Sequence, residues 1–155
     1  MSEGPVTLVV EDPNWRKSRG LPKALLAAAE AGLKSSGLPR SARVTILLAD
    51  DATLRGLNRD FRGKDKATNV LSFPAAPNAE RHAGDIALAW GVTRAEAKAS
   101  GKSIADHAAH LVVHGVLHLA GFDHEKPRDA ERMEGLEVRI LARLGIADPY
   151  AMAAP

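Results

Sequence analysis

The chain has 155 residues, 45% of them hydrophobic and 26% charged, which is the size and balance of one ordinary globular domain and argues against wholesale disorder. Cysteine is absent, so disulfides, thiolate nucleophiles and Cys-ligated zinc are excluded, and any transition metal must be held by His, Asp or Glu. A net charge of +2 is too small to imply a nucleic-acid partner by itself, and aromatics at 4% leave the core to Leu, Val, Ile and Ala.

The first apolar run, Val6–Val10, follows acidic Glu3 and is too short for a signal peptide or a membrane span. The expectation is a cytoplasmic protein without membrane contact. Val6–Glu11 reads as a strand, with turn residues Asp12, Pro13 and Asn14 after it. Leu21–Leu33 reads as a helix, with Pro22 in its first turn and Gly37 and Pro39 beyond its end. Arg43–Ala49 is a second strand, rich in Val, Ile and Thr. Asp50 and Asp51 can cap a short helix over Ala52–Phe61. Val70–Phe73 is a short strand closed by Pro74, and Gly84–Trp90 is another, with alternation through Ile86 and Leu88. Thr93 reads as the cap of a helix over Arg94–Ser100. Ile104–Leu119 is the longest helical pattern, stopped by Gly121, and Pro127–Leu144 is the last helix, stopped by Gly145. Four strands and about five helices in mixed order predict an α+β fold of one domain over residues 1–155. Strand order does not follow from the pattern.

Six histidines are present, and five of them lie between His107 and His124. His114 and His118 are four apart, which on a helix is about 400° of rotation and roughly 6 Å of rise, so both rings leave one face. Gly121 permits the turn that brings His124 back as a third nitrogen. Three imidazoles around a tetrahedral Zn²⁺, one ion per chain, leave a fourth position open, which is the catalytic pattern. Zinc with an open position lowers the pKa of a bound water toward ~7. A pair of His at this spacing is by itself often a surface or core pair; the Gly stop and the third His make the metal reading.

The spacing equals that of the extended zinc-peptidase motif, but Gly115 stands where those enzymes carry their Glu base, and this weighs against a peptidase. His110 lies one turn before His114 and is read as a substrate contact or a support for the ligands. A fourth-ligand role for it would close the site. His107 is read as a packing residue. Asp123 can orient a ligand, act as an acid or base, or cap the turn. Trp15 and Trp90 are read as core residues.

The segment from Arg55 to Lys66 holds five positive and two negative side chains and is the densest basic patch. Arginine suits phosphate because its planar fork donates two parallel bonds. Taken alone, the patch is a solvated helix end.

Taken together, Leu57-Asn58, Arg62-Gly63-Lys64-Asp65, Thr68-Asn69-Val70-Leu71-Ser72-Phe73-Pro74, Gly84-Asp85-Ile86 and His114-Gly-Val-Leu-His118-Leu-Ala-Gly121-Phe122-Asp123-His124 resemble the YbeY family. The resemblance runs from about Arg43 to Tyr150 and includes Glu131, Met133, Glu134, Leu144-Gly145 and Asp148-Pro149-Tyr150. Residues 1–42 match weakly. Phe122 stands where the family often has Tyr and lacks only its hydroxyl.

The resemblance implies a zincin-like architecture and a zinc-dependent, single-strand-specific endoribonuclease. It implies a role in maturation of the 16S rRNA 3′ end and in 70S ribosome quality control. His114, His118 and His124 match the metal ligands, and Arg62 matches a functional arginine. Catalysis is accordingly assigned to Arg62 and His114, and substrate contact to Arg62, Lys64 and His110. The implied partners are ribosomal RNA, the small ribosomal subunit and a small-subunit protein. Two other readings remain at this point: a non-catalytic, zinc-containing rRNA-binding assembly factor, and a metal hydrolase acting on a small phosphoester. Few aromatic residues predict weak RNA sequence preference.

Overall fold

The computed structural model describes residues 4–151. Strands β1 (Val6–Val10), β2 (Arg43–Ala49), β3 (Val70–Pro74) and β4 (His82–Ala89) form one sheet in the order β1-β2-β4-β3. β1, β2 and β4 run parallel, and β3 pairs antiparallel with β4 at the sheet edge. Helices α1 (Leu21–Ser35), α2 (Asp51–Arg62), α3 (Trp90–Ala99), α4 (Ile104–Leu119) and α5 (Pro127–Arg143) complete the α+β unit.

The alternation of β2 decides the layering. Val44, Ile46 and Leu48 join the core that also holds Ile86 and Leu88 of β4, Leu25 of α1 and Val112, Val113 and Val116 of α4. Ala49, with Leu47 partly buried against it, belongs to a second, smaller core with Leu54 of α2 and Leu71 of β3. One face of the sheet is therefore covered by α1 and α4 and the other only in part, by α2, while α3 packs against α4 and meets the second core through Val92. Trp15 is fully buried, donates its indole N–H to the Ala49 carbonyl at 2.9 Å, and meets half-buried Trp90 edge-on at 5.1 Å.

Most element boundaries predicted from the sequence lie within two residues of those observed. The exception is α3, which begins at Trp90, not Arg94. Thr93 is not its cap: it sits inside the helix, fully buried. β4 runs straight into α3 without a loop, and the Asp51 carboxylate of α2 accepts from the Val92 N–H at 3.0 Å. The first turn of α3 is thus satisfied from another helix, which no local pattern encodes. Asp50 caps α2 as expected, accepting from the Thr53 N–H at 2.8 Å. Glu11 falls just outside β1, and a short 3₁₀ turn at Pro13–Arg16 follows Asp12.

A candidate metal centre and its supporting network

α4 presents a fully apolar face to the protein interior and a half-buried stripe of His107, His110, His114 and His118 on the other side. Gly121 has φ +97°, and Gly121 N–H and Phe122 N–H close the helix end on the carbonyls of His118 and Leu117. This turn returns the chain so that one ring nitrogen each of His114, His118 and His124 lies within 4.8 Å of the others. The Nε2 atoms of His114 and His118 are 3.0 Å apart. A tetrahedral ion with metal–nitrogen bonds of 2.0–2.1 Å needs nitrogens about 3.3 Å apart, so the set fits an ion with small adjustments. Asp123 caps the turn, its carboxylate accepting from the N–H groups of His124 at 2.6 Å and Glu125 at 3.2 Å.

Behind the ligands is a group that the sequence reasoning missed. Glu137 of α5 has a side chain with 0% exposure. Its Oε1 accepts from His114 Nδ1–H at 2.7 Å, and its Oε2 accepts from the Tyr150 hydroxyl at 2.6 Å. Burial by itself pushes this carboxyl up, but hydrogen bonds from His110, His114 and Tyr150 outweigh it and hold the pKa at about 2. Burial, with the same carboxylate adding to it, pushes the Tyr150 hydroxyl up, so it stays a donor. Tyr150 in turn accepts from His110 Nε2–H at 3.1 Å, and His110 Nε2 stands 3.5 Å from Glu137 Oε1.

The consequence is a fixed tautomer. His114 gives its Nδ1 proton to Glu137 and leaves Nε2 free for an ion, the carboxylate–histidine–metal arrangement. His118 is held down to about 4 by burial, with His114 and His124 adding to the effect, so it is a neutral ligand at neutral pH. His110 stands outside the converging set, tied to Tyr150 and Glu137. A signal for Glu137 did exist: it occupies the same buried stripe of α5 as Met133, Ile140 and Leu141, where an unpaired carboxylate is not tolerated.

Gly115 faces the sheet. A Cβ there would lie 3.0 Å from Ile86 Cγ2 and 3.1 Å from Ser72 Oγ, and Ser72 Oγ–H donates to the Gly115 carbonyl at 3.3 Å. The position has no room for the glutamate base of a peptidase.

A cavity of about 440 Å³ adjoins the ligands, lined in part by Asn69, Glu96, His107, His110, His114 and Tyr150. His107 is not only packed: its Nε2–H donates to Glu96 Oε1 at 2.9 Å, which also accepts from Asn69 Nδ2 at 2.9 Å. Arg62 ends α2 and is exposed, as is Lys64 in the loop after it. Neither side chain makes a hydrogen bond or ion pair among the described residues, whereas nearby Arg55 is held by Asp65 at 2.8 Å. Neither lines the cavity, so the structure does not bring Arg62 and Lys64 against the histidines. No helix among the described residues is long and apolar enough to cross a membrane.

The sequence profile of one family, described as endoribonuclease YbeY, matches residues 12–145. A Maricaulis maris protein named endoribonuclease YbeY is 48% identical over 145 residues, covering 94% of this chain and 91% of its own. A protein of the same name from Azorhizobium caulinodans is 49% identical over 155 residues, covering 96% and 98%. A Thermotoga maritima protein solved in solution shares the fold with a TM-score of 0.56 at 23% identity, over 95% of this chain and 99% of its own.

Proposed function

The chain belongs to the YbeY endoribonuclease family, and on that premise we propose that it is a metal-dependent endoribonuclease hydrolysing phosphodiester bonds in single-stranded ribosomal RNA. The finer reading is cytoplasmic maturation of the 16S rRNA 3′ end and quality control of the 70S ribosome. Its partners are then ribosomal RNA, the small subunit and a small-subunit protein. One Zn²⁺ per chain is held by His114, His118 and His124, within a domain spanning residues 1–155.

The observation that carries this reading is the convergence of three imidazole nitrogens in front of a buried, ionised Glu137. An all-imidazole set suits zinc, and the engagement of His110 with Tyr150 leaves no fourth histidine to close the site. When bound, the ion supplies Lewis acidity toward a water and a phosphoryl oxygen. The chain supplies the rest. Glu137 holds the ring of His114 in the ligating tautomer and raises its basicity. Arg62 is exposed, free of an ion-pair partner among the described residues and apart from the cavity, so its guanidinium meets the nonbridging oxygens of the scissile phosphate only once a bound strand and the end of α2 are brought together. Lys64 adds positive charge along the strand, and His110 contributes to the wall that the substrate meets. The non-catalytic assembly-factor reading requires a closed site, and the hydrogen bonding of His110 speaks against it.

The test is cleavage of a single-stranded fragment of ribosomal RNA by zinc-loaded wild type and Arg62→Ala, with zinc contents matched by elemental analysis. Wild type cuts, and Arg62→Ala keeps its zinc and loses cleavage by about 100-fold or more. Equal rates would remove Arg62 from the site. No cleavage by wild type, on free RNA or on ribosomal subunits, would hand the case to the assembly-factor reading.

A further inference from the structure

The cavity beside the ligands contains more built polar structure than phosphate hydrolysis needs. Val70, Ala99 and Leu111 give it apolar surface, and Asn69, Glu96 and His107 give it a hydrogen-bonded group. Glu96 Oε1 accepts from both Asn69 Nδ2 and His107 Nε2–H. Two donors on one oxygen fix the orientation of the carboxylate, a group whose oxygens serve as acceptors. Oε2 makes no hydrogen bond to any described residue. Asn69 is itself anchored, its Oδ1 accepting from the Val70 N–H at 2.7 Å. The cavity therefore offers apolar walls, one positioned and unused acceptor, and a border at His114 and Tyr150.

A flat ring with an N–H donor on its edge matches that surface, and about 440 Å³ lies within the range of small-molecule sites. We propose that this cavity holds one nucleobase of the RNA strand, next to the phosphate being cut, and that Glu96 selects bases carrying an exocyclic amino group, adenine, cytosine or guanine, over uracil. The N3–H of uracil lies between two carbonyl oxygens, which a carboxylate repels. An amino group projects clear of its ring and can reach one oxygen. Asn69 and His107 are positioning residues for that carboxylate. The preference is confined to this one base, since stacking aromatics are few. The inference rests on the endoribonuclease reading for the strand but not for the pocket, and the test separates the two.

The zinc-loaded protein is titrated with cytidine, adenosine and uridine, which carry no phosphate, and followed by NMR at the Asn69 side-chain amide and the backbone amides of Val70 and Ala99. Cytidine and adenosine shift these signals, and uridine binds about tenfold more weakly, as expected for one hydrogen bond to a charged acceptor. Glu96→Gln, nearly the same shape but both donor and acceptor, erases that difference. In parallel, wild type and Glu96→Gln cleave a pool of random single-stranded RNA, and the base frequencies flanking the cuts are read. Wild type shows depletion of uracil at one flanking position, and Glu96→Gln does not. Equal binding of all three nucleosides, shifts confined to other residues, or retained discrimination in Glu96→Gln would overturn the pocket. Discriminating nucleoside binding without RNA cleavage would keep the pocket and refute the nuclease. Cleavage without bias, and without nucleoside binding, would do the reverse.

Discussion

Replacing Glu137 by Gln keeps the length of the side chain and removes its charge. The carboxylate takes two short hydrogen bonds, 2.7 Å from His114 Nδ1 and 2.6 Å from the Tyr150 hydroxyl, with no exposure to solvent. A hydrogen bond to a charged acceptor is worth about 1.5–3 kcal/mol and a neutral one about 0.5–1.5, so roughly 1 kcal/mol is lost at each. The loss at His114 passes to the metal, because a neutral amide no longer raises the basicity of the ring. It also no longer enforces one tautomer, since the Gln amide can turn its N–H₂ group toward Nδ1. Zinc affinity is expected to fall about 10- to 100-fold, or about 1.4–2.8 kcal/mol. Competition against a chromophoric chelator at neutral pH measures it, with a melt of the metal-free protein to show that the variant is folded. Tyr150→Phe serves as the control: it removes the donor to Oε2 and leaves the His114 bond, so affinity stays within about threefold of wild type. A folded Glu137→Gln that binds zinc within twofold of wild type would refute the argument that this carboxylate sets up the ligand.

Three other outcomes follow from the same geometry. His118→Ala removes one of three converging nitrogens and is expected to lose most of the zinc, which elemental analysis after desalting reads directly; full occupancy would contradict the ligand assignment. Gly115→Glu restores the residue of the peptidase motif but drives a carboxylate into the seam between α4, Ile86 and Ser72. It is expected to cost at least about 3 kcal/mol, seen as a large drop in Tm and no gain of peptidase activity; a wild-type Tm would show that the seam can open. In the metal-free protein, His118 takes up its proton at about 4 against 6.5 for an ordinary histidine, so the unfolded chain binds more protons between those values. Stability then declines as pH falls through that window, and declines again below 4.5 as Glu137, ionised down to about 2 in the fold, is protonated in the unfolded chain. A Tm constant from pH 7 to 4 would contradict the His118 shift, and one constant from pH 4.5 to 2 would contradict the Glu137 shift.

The elements that sequence made legible are those whose signals are local. The i, i+4 histidines, the Gly121 stop and the Asp50 cap each depend on neighbours within a few residues, and each stands where it was expected. The resemblance to the YbeY family added the interest in Arg62. What escaped was carried by contacts between distant segments. The start of α3 is not legible locally because Asp51, about forty residues earlier, satisfies it. Glu137 was overlooked because its partners lie on α4 and in the C-terminal segment, although its place on the buried stripe of α5 announced an unusual carboxylate. The sequence around His107 reads as packing because its partner Glu96 belongs to α3. Strand order was beyond reach for the same reason: the crossover from β2 to β4 passes through α2 and β3, and only the three-dimensional pairing shows that β3 ends at the edge.

The close approach of α4 to the sheet at Gly115 also bears on evolution. Two of the four glycine codons lie one nucleotide from a glutamate codon and the other two lie two away, so in genetic terms a peptidase-like motif is at most two nucleotide changes from this chain. In physical terms it is remote, because the side chain would first need the β3 and β4 strands to yield space beside Ile86 and Ser72. A lineage could cross between the two chemistries only after loosening this seam, through smaller residues at both sheet positions. The barrier between the two activities is thus one of volume, and the shared histidine spacing gives no measure of its height.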